Sequence, residues 1–157
     1  MAKKSKQSQA PSGPATIHNR RARFDYHIEE THEAGIALVG PEVKSIYLGN
    51  AQLADGYVKV ENGELWLIGV YVAPYEQAYN SNVDTRRTRK LLMHKPEIRR
   101  IAAKAQEKGL TIIPLKLYFS HGKAKLEIGL ARGKREYDKR EAIQAKDERR
   151  ERQRAAE

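Results

Sequence analysis

Tyr57-Val-Lys-Val-Glu61, Asn62-Gly63 and Glu64-Leu-Trp-Leu-Ile68 form the stretch on which the fold turns. Alternating arms flank a pair that a type I′ turn favours, because both central positions take positive φ. A tight hairpin is therefore predicted, its second arm running on through Val70-Tyr-Val72 to Pro74. Within that arm the alternation assigns Trp66 to the core rather than to a base-stacking surface.

Reading outward, Thr111 to Ser120 and Lys123 to Ala131 make a second hairpin across His121-Gly122. Toward the N-terminus, Phe24 to Ile28 alternates and Gly35 to Val39 resumes after Glu29-Glu-Thr-His-Glu33, which predicts two strands joined as a long hairpin. Pro41 to Leu48 predicts a short helix, with Pro41 at its start and Val43, Ile46 and Tyr47 at helical spacing. A longer helix is predicted from Pro96 to Lys108, with Ile98, Ile101, Ala102 and Ala105 on one face and Gly109 as its stop. About six short, mostly antiparallel strands with a helix before the final pair suit a small closed barrel, which leaves no exposed edge. The expected class is mainly β with flanking helices, an OB-like antiparallel barrel; a flat α+β sheet is the alternative that pattern does not separate.

Three parts are expected: a disordered basic arm over residues 1–16, a folded body over 17–132, and a charged tail over 133–157. After Leu126-Glu-Ile-Gly-Leu-Ala131 aliphatic residues nearly vanish and both signs of charge crowd together. Such a segment buries too little to hold itself in a fold, so the tail is expected to be disordered when free and helical against a partner. As a helix it would reach roughly 35 Å.

At 157 residues and a formal net charge of +10, one domain with tails and an anionic partner are expected, nucleic acid above all. No 18-residue apolar span and no lipidation motif are present, so no membrane partner is expected. The absence of cysteine excludes disulfides, thiolate nucleophiles and Cys-type zinc sites. The basic start lacks an apolar h-region, and a cytoplasmic monomer is the simplest expectation.

Nothing argues for an active site. The five histidines are scattered, and His27 and His32, five apart on a strand, would point to opposite faces. Metal-ligand spacings, a Gly-rich phosphate loop and a nucleophile elbow are all missing, so no catalytic residue, metal or cofactor is expected. Binding chemistry is better supported. Arg86, Arg87, Arg89 and Lys90 gather around Thr88, immediately before Leu91; guanidinium forks suit phosphate oxygens and stack on bases. Asn19, Arg20, Arg21 and Arg23 form a second cationic cluster, and Tyr75 and Tyr79 are the more exposed stacking candidates.

Asn19-Arg-Arg-Ala-Arg23, Glu29-Glu-Thr-His-Glu-Ala-Gly-Ile-Ala-Leu38, Gly40-Pro-Glu-Val-Lys-Ser45, Arg86-Arg-Thr-Arg-Lys-Leu-Leu92 and Gly133-Lys-Arg-Glu-Tyr-Asp-Lys-Arg140 follow one another in this order. Together they resemble the small protein B family, the bacterial protein partners of transfer-messenger RNA (tmRNA). The match spans nearly all of the chain from Ile17 to about Ile143. It implies a non-enzymatic role in trans-translation, the rescue of ribosomes stalled on messages without a usable stop codon. The implied partners are the tRNA-like domain of tmRNA, the decoding centre and mRNA channel of the small ribosomal subunit, and, through charged tmRNA, elongation factor Tu.

The resemblance carries tmRNA contact onto Asn19, Arg20, Glu33, Arg89, Lys90 and Leu91, to which the cationic clusters add Arg21, Arg86 and Arg87. Phosphates would repel Glu33, so it would have to accept from a base edge or a ribose hydroxyl and supply selectivity. The resemblance also assigns Gly133, Lys134, Arg135, Tyr137, Asp138, Lys139, Arg140 and Ile143 to a tail that enters the vacant decoding centre. Tyr137 stands where the family often has His. From composition alone, a ribosomal protein and, far behind, an RNA-processing enzyme on the Glu29 to Glu33 stretch are the competing classes.

Overall fold

The computed structural model describes residues 13–134 and 136–156, without the side chains of 136–138. The expected N-terminal arm lies outside it up to residue 12, as does Arg135. In chain order the elements are β1 (Ile17–His18), α1 (Ala22–Asp25), β2 (Tyr26–Ile36), α2 (Gly40–Tyr47), β3 (Ala51–Gln52), β4 (Tyr57–Glu61), β5 (Glu64–Ile68), β6 (Tyr71–Val72), a 3₁₀ segment (Glu76–Ser81), β7 (Arg89–Leu92), α3 (Lys95–Lys108), β8 (Thr111–Ser120), β9 (Lys123–Gly133) and α4 (Glu136–Ala155).

The β4–β5 hairpin forms as the turn chemistry requires, with Asn62 at φ 52° and Gly63 at φ 74°. From it the sheet extends in the order β4-β5-β7-β2-β9, and β9 pairs in turn with β8, which meets β4. A ring of six antiparallel strands results. Its seam is thin, a single Val58↔Ile112 pair between β4 and β8. β1 adds to the same edge of β8 at Lys116 and Leu117, and β3 with β6 makes a separate two-stranded piece.

Inside the ring Leu65, Leu67, Leu117, Leu126, Ile128 and Leu130 are buried together, and Ile98 and Ile101 of α3 join them. α3 stops where Gly109 turns left-handed at φ 63°, a conformation with no Cβ penalty in glycine. A second small cluster of Ala22, Ile113, Leu115 and Ala131 lies on the other face of β9, under α1.

Three expectations change. The first concerns β2, which is one eleven-residue strand rather than two arms of a hairpin. Its polar run pairs with β9 all along, and a bulge between Ile28 and Glu30 absorbs the break in alternation. That bulge also returns His27 and His32 to the same side of the sheet, opposite Arg132 and Ile128 respectively. Secondly, Trp66 is half-buried and faces outward, because Leu65 and Leu67 take the inward phase of β5. Thirdly, the tail is helical here over Glu136–Ala155, where order was expected only against a partner. Its Ala, Glu, Lys, Arg and Gln content favours helix and no Gly or Pro interrupts it. It buries none of its described side chains. Asp25 anchors its root: the Lys134 N–H donates to the Asp25 carbonyl at 2.9 Å, and Lys139 Nζ lies 3.5 Å from Asp25 Oδ1.

Candidate nucleic-acid interface

Alternation along β7 divides the Arg-rich motif. Arg89 and Leu91 point into the barrel and Lys90 and Leu92 point out. Arg89 is fully buried, with Nε donating to Glu42 Oε2 at 2.5 Å, Nη1 to the Val70 carbonyl at 2.9 Å and Nη2 to the Thr85 carbonyl at 3.2 Å. Arg87 Nη2 reaches the other carboxylate oxygen, Oε1, at 2.5 Å, and the Val39 N–H donates to the same oxygen. Burial pushes the Glu42 carboxyl up, but the hydrogen bonds from Arg87, Val39 and Arg89 outweigh it and hold the pKa below the ordinary carboxylate value. Two motifs that read as separate signals, one around Glu42 and one around Arg89, are thus a single internal clamp. This withdraws Arg89 and Leu91 from any surface and leaves Arg87 half-committed to the fold.

Arg86 and Lys90 remain accessible. Arg86 donates to the Gly69 carbonyl at 2.8 Å and lies 5.8 Å from the centre of the Tyr71 ring. Lys90 pairs with Glu64 at 3.0 Å, both half-exposed. Asn19 has a tethering role: its backbone N–H donates to the Leu115 carbonyl and its Nδ2 to the Pro114 carbonyl, each at 2.8 Å. Arg20, Arg21 and Arg23 beside it are exposed.

The strand registers assemble a surface that the sequence did not announce. His18, Lys116, Glu127 and Glu33 are successive partners across β1, β8, β9 and β2, so their side chains share the outer face. Two residues along, Tyr118, Lys125, Gly35 and Leu92 form the next row, running on into β7. Leu92 is an aliphatic side chain left 51% exposed in this row. Gly35 keeps the floor low beside it; a Cβ there would sit 3.2 Å from that of Leu92. Glu33, Leu92, His94 and Lys125 consequently line one open groove. Beyond it Tyr118 donates a hydrogen bond to Glu33 Oε2, while Lys116 lies 5.0 Å from the centre of the Tyr118 ring and 3.7 Å from Glu127. Burial first, then the hydrogen bond to Glu33 and the Glu33 and Glu127 charges, push the Tyr118 phenol up to about 12. It therefore stays protonated and able to donate throughout the neutral range.

Cations, one apolar patch and a held carboxylate are groups that suit RNA better than a small molecule: Lys side chains can neutralise phosphates, an exposed Leu can pack on a base or sugar, and a carboxylate can accept from base or ribose donors. Leu92, Lys116, Tyr118 and Lys125 were not among the sequence candidates. The usable signal was phase, since a residue next to an inward Leu91 must face out.

Of the tail residues, Gly133 ends β9 opposite Tyr26. Lys139, Arg140 and Ile143 are on α4, with Ile143 exposed. Tyr137 and Asp138 belong to the same helix by backbone, their side chains outside the described residues, as Arg135 is entirely. Among the described residues no group of three or more His, Asp or Glu side chains could hold a metal ion.

Comparison with known proteins gives a consistent result. A family model described as "SmpB protein" matches residues 16–157. A protein of Thermobifida fusca (strain YX) named "SsrA-binding protein" is 53% identical over 156 residues, covering 99% of this chain and 97% of the relative. One of the same name from Moorella thermoacetica is 58% identical over 134 residues, covering 85% and 86%. A solved structure described as "tmRNA-SmpB: a journey to the center of the bacterial ribosome" superposes with a TM-score of 0.67 at 52% identity, covering 82% of this chain and 94% of that one. The chain belongs to the SmpB family.

Proposed function

We propose that this chain is the RNA-binding adaptor of trans-translation in its cell: a non-enzymatic protein that binds the tRNA-like domain of tmRNA and accompanies it to stalled ribosomes. The observation that carries the reading is the outer face of β7, β2, β9 and β8, where Lys116, Lys125 and an exposed Leu92 surround Glu33. Family membership over residues 16–157 supports it, as does the description of the similar solved structure. Phosphate neutralisation by Lys125, Lys116 and the exposed Arg20 and Arg21 supplies attraction without sequence choice. Glu33 and Leu92 add selectivity, because a carboxylate rewards only a correctly placed donor.

α4 performs a second task. Rooted at Asp25 and about 30 Å long at 1.5 Å per residue, it extends from Gly133 into the empty decoding centre and message channel, where Lys134, Arg135, Tyr137, Asp138, Lys139, Arg140 and Ile143 meet ribosomal RNA. In this account the body stands in for the anticodon arm that tmRNA lacks. Elongation factor Tu is engaged only through the charged tmRNA, and the protein works as a cytoplasmic monomer.

Binding to a transcribed tRNA-like domain, compared with a duplex RNA of equal length, tests the reading. A clear preference for the tRNA-like domain at moderate ionic strength is expected; equal affinity for both RNAs contradicts it.

A further inference from the structure

We propose that Tyr118 is a positioning residue for Glu33: its phenol holds the carboxylate across β9 so that Oε1 projects from the sheet as an acceptor for an RNA donor. The proposal deepens the proposed function and rests on Glu33 being part of the RNA-binding face.

Glu33 sits directly opposite Glu127, a like-charge pair that on its own would splay both side chains into solvent. Two contacts resolve the conflict. Lys116 draws Glu127 toward β8, and Tyr118 takes Glu33 Oε2. Lys116 also lies over the Tyr118 ring, which fixes the ring that in turn fixes Glu33. Among the described residues no side chain or backbone donor hydrogen-bonds to Oε1. A glutamate loses substantial rotamer entropy when it is immobilised; one already held on the protein loses less on binding, so the same hydrogen bond yields more affinity. Glu33 needs this help more than a lysine would, because the surrounding phosphates repel it and only a well-placed donor compensates.

The donor is either a base N–H or a ribose 2′-hydroxyl, since both groups present hydrogen to a carboxylate oxygen. Phosphate is excluded as the direct partner by charge.

A double-mutant cycle on the full-length chain tests this, with a transcribed tRNA-like domain as the probe. Tyr118→Phe keeps the ring under Lys116 and removes only the donor. It should weaken binding roughly 3- to 10-fold, leave the melting temperature unchanged, and leave the slope of log affinity against log salt unaltered, since no phosphate contact is lost. In a Glu33→Ala background, itself weakened roughly tenfold or more, Tyr118→Phe should have no further effect. An equal loss in both backgrounds would mean that Tyr118 touches RNA directly and would overturn the proposal. So would a full-affinity Tyr118→Phe variant. If Glu33→Ala binds normally while wild-type selectivity persists, the positioning role falls and the adaptor function stands. Should the wild type show no preference for the tRNA-like domain, the function itself falls. Probes with 2′-methoxy groups separate the donors: loss of the Tyr118→Phe effect on such RNA assigns a ribose hydroxyl, and its persistence a base. Either outcome supports the acceptor role.

Discussion

Arg89 and Glu42 close an ion pair at 2.5 Å behind the barrel wall, 47 positions apart in the chain. The pair fastens α2 to β7 and thereby sets the phase that turns Lys90 and Leu92 outward. Charge runs ordinarily mark solvated or ligand-facing surface; here the middle of the run is the most deeply buried part of it.

Removing one partner of a buried pair leaves the other uncompensated. Arg89→Ala should therefore cost about 3 kcal/mol of folding stability, the low end of the usual range because Arg87 still meets Glu42. Urea unfolding reads this directly. RNA affinity of the protein that remains folded should be nearly unchanged. A loss of affinity at full stability would return Arg89 to the binding face.

The same clamp gives a pH dependence of defined sign. The Glu42 pKa is lowered in the fold from a reference of 4.5, so the unfolded chain binds protons more readily. The resulting stability is complete above about pH 4.5 and is lost as pH falls through the depressed folded value. Glu42→Gln should lower stability at neutral pH and flatten the acid limb of the unfolding profile. An acid limb of unchanged steepness in this variant would mean that other carboxylates carry it.

Surface residues of the groove should behave oppositely to the clamp. Leu92→Ala and Lys125→Ala are expected to leave the melting temperature within a degree or two, as exposed substitutions usually do. Lys125→Ala should reduce the salt slope of RNA binding by roughly 0.7 to 0.9 if it neutralises one phosphate. Leu92→Ala should weaken binding with no change of slope. Salt titrations of both variants distinguish these roles, and identical slopes in wild type and Lys125→Ala would remove the lysine from the phosphate contacts.

Strain is stored at Tyr79, where φ is 48° and ψ −113° in a side chain left 84% exposed. Asn82 holds the turn by accepting from the Tyr75 N–H and donating to the Tyr75 and Tyr79 carbonyls. Glycine adopts this backbone freely, so Tyr79→Gly should raise stability by about 1 kcal/mol, after its greater unfolded-state entropy is offset. Thermal melting decides; a lowered midpoint would show that the tyrosine side chain contributes more than its backbone costs.

Local chemistry was legible in the sequence, and long-range pairing much less so. Asn62-Gly63 and Gly109 announce themselves because their φ requirements are satisfied by few residues. The closed ring follows from counting strands that must not be left as edges. The polar run Glu29 to Glu33 misled because half of a strand there faces out along its whole length, and the bulge near Glu29 hides the period. Trp66 and Leu65 compete for one inward phase, and hydrophobicity alone does not say which of two neighbours wins. Arg89 could be recognised as a core residue only through Glu42, which no local pattern connects to it. The resemblance assigned RNA contact to Leu91, but the phase of β7 buries that residue and exposes its neighbour Leu92.

A division of labour between body and tail requires that the body alone recognise tRNA-shaped RNA, with α4 reserved for the ribosome. Measuring the dissociation constant for the tRNA-like domain of a chain ending at Gly133, beside its peptide-tagging activity on stalled ribosomes, probes that division most directly. Affinity within about twofold of the intact protein, a difference under 1 kcal/mol, together with loss of tagging, is the predicted result. A truncated chain that has lost its RNA affinity, or one that still supports tagging, would contradict it.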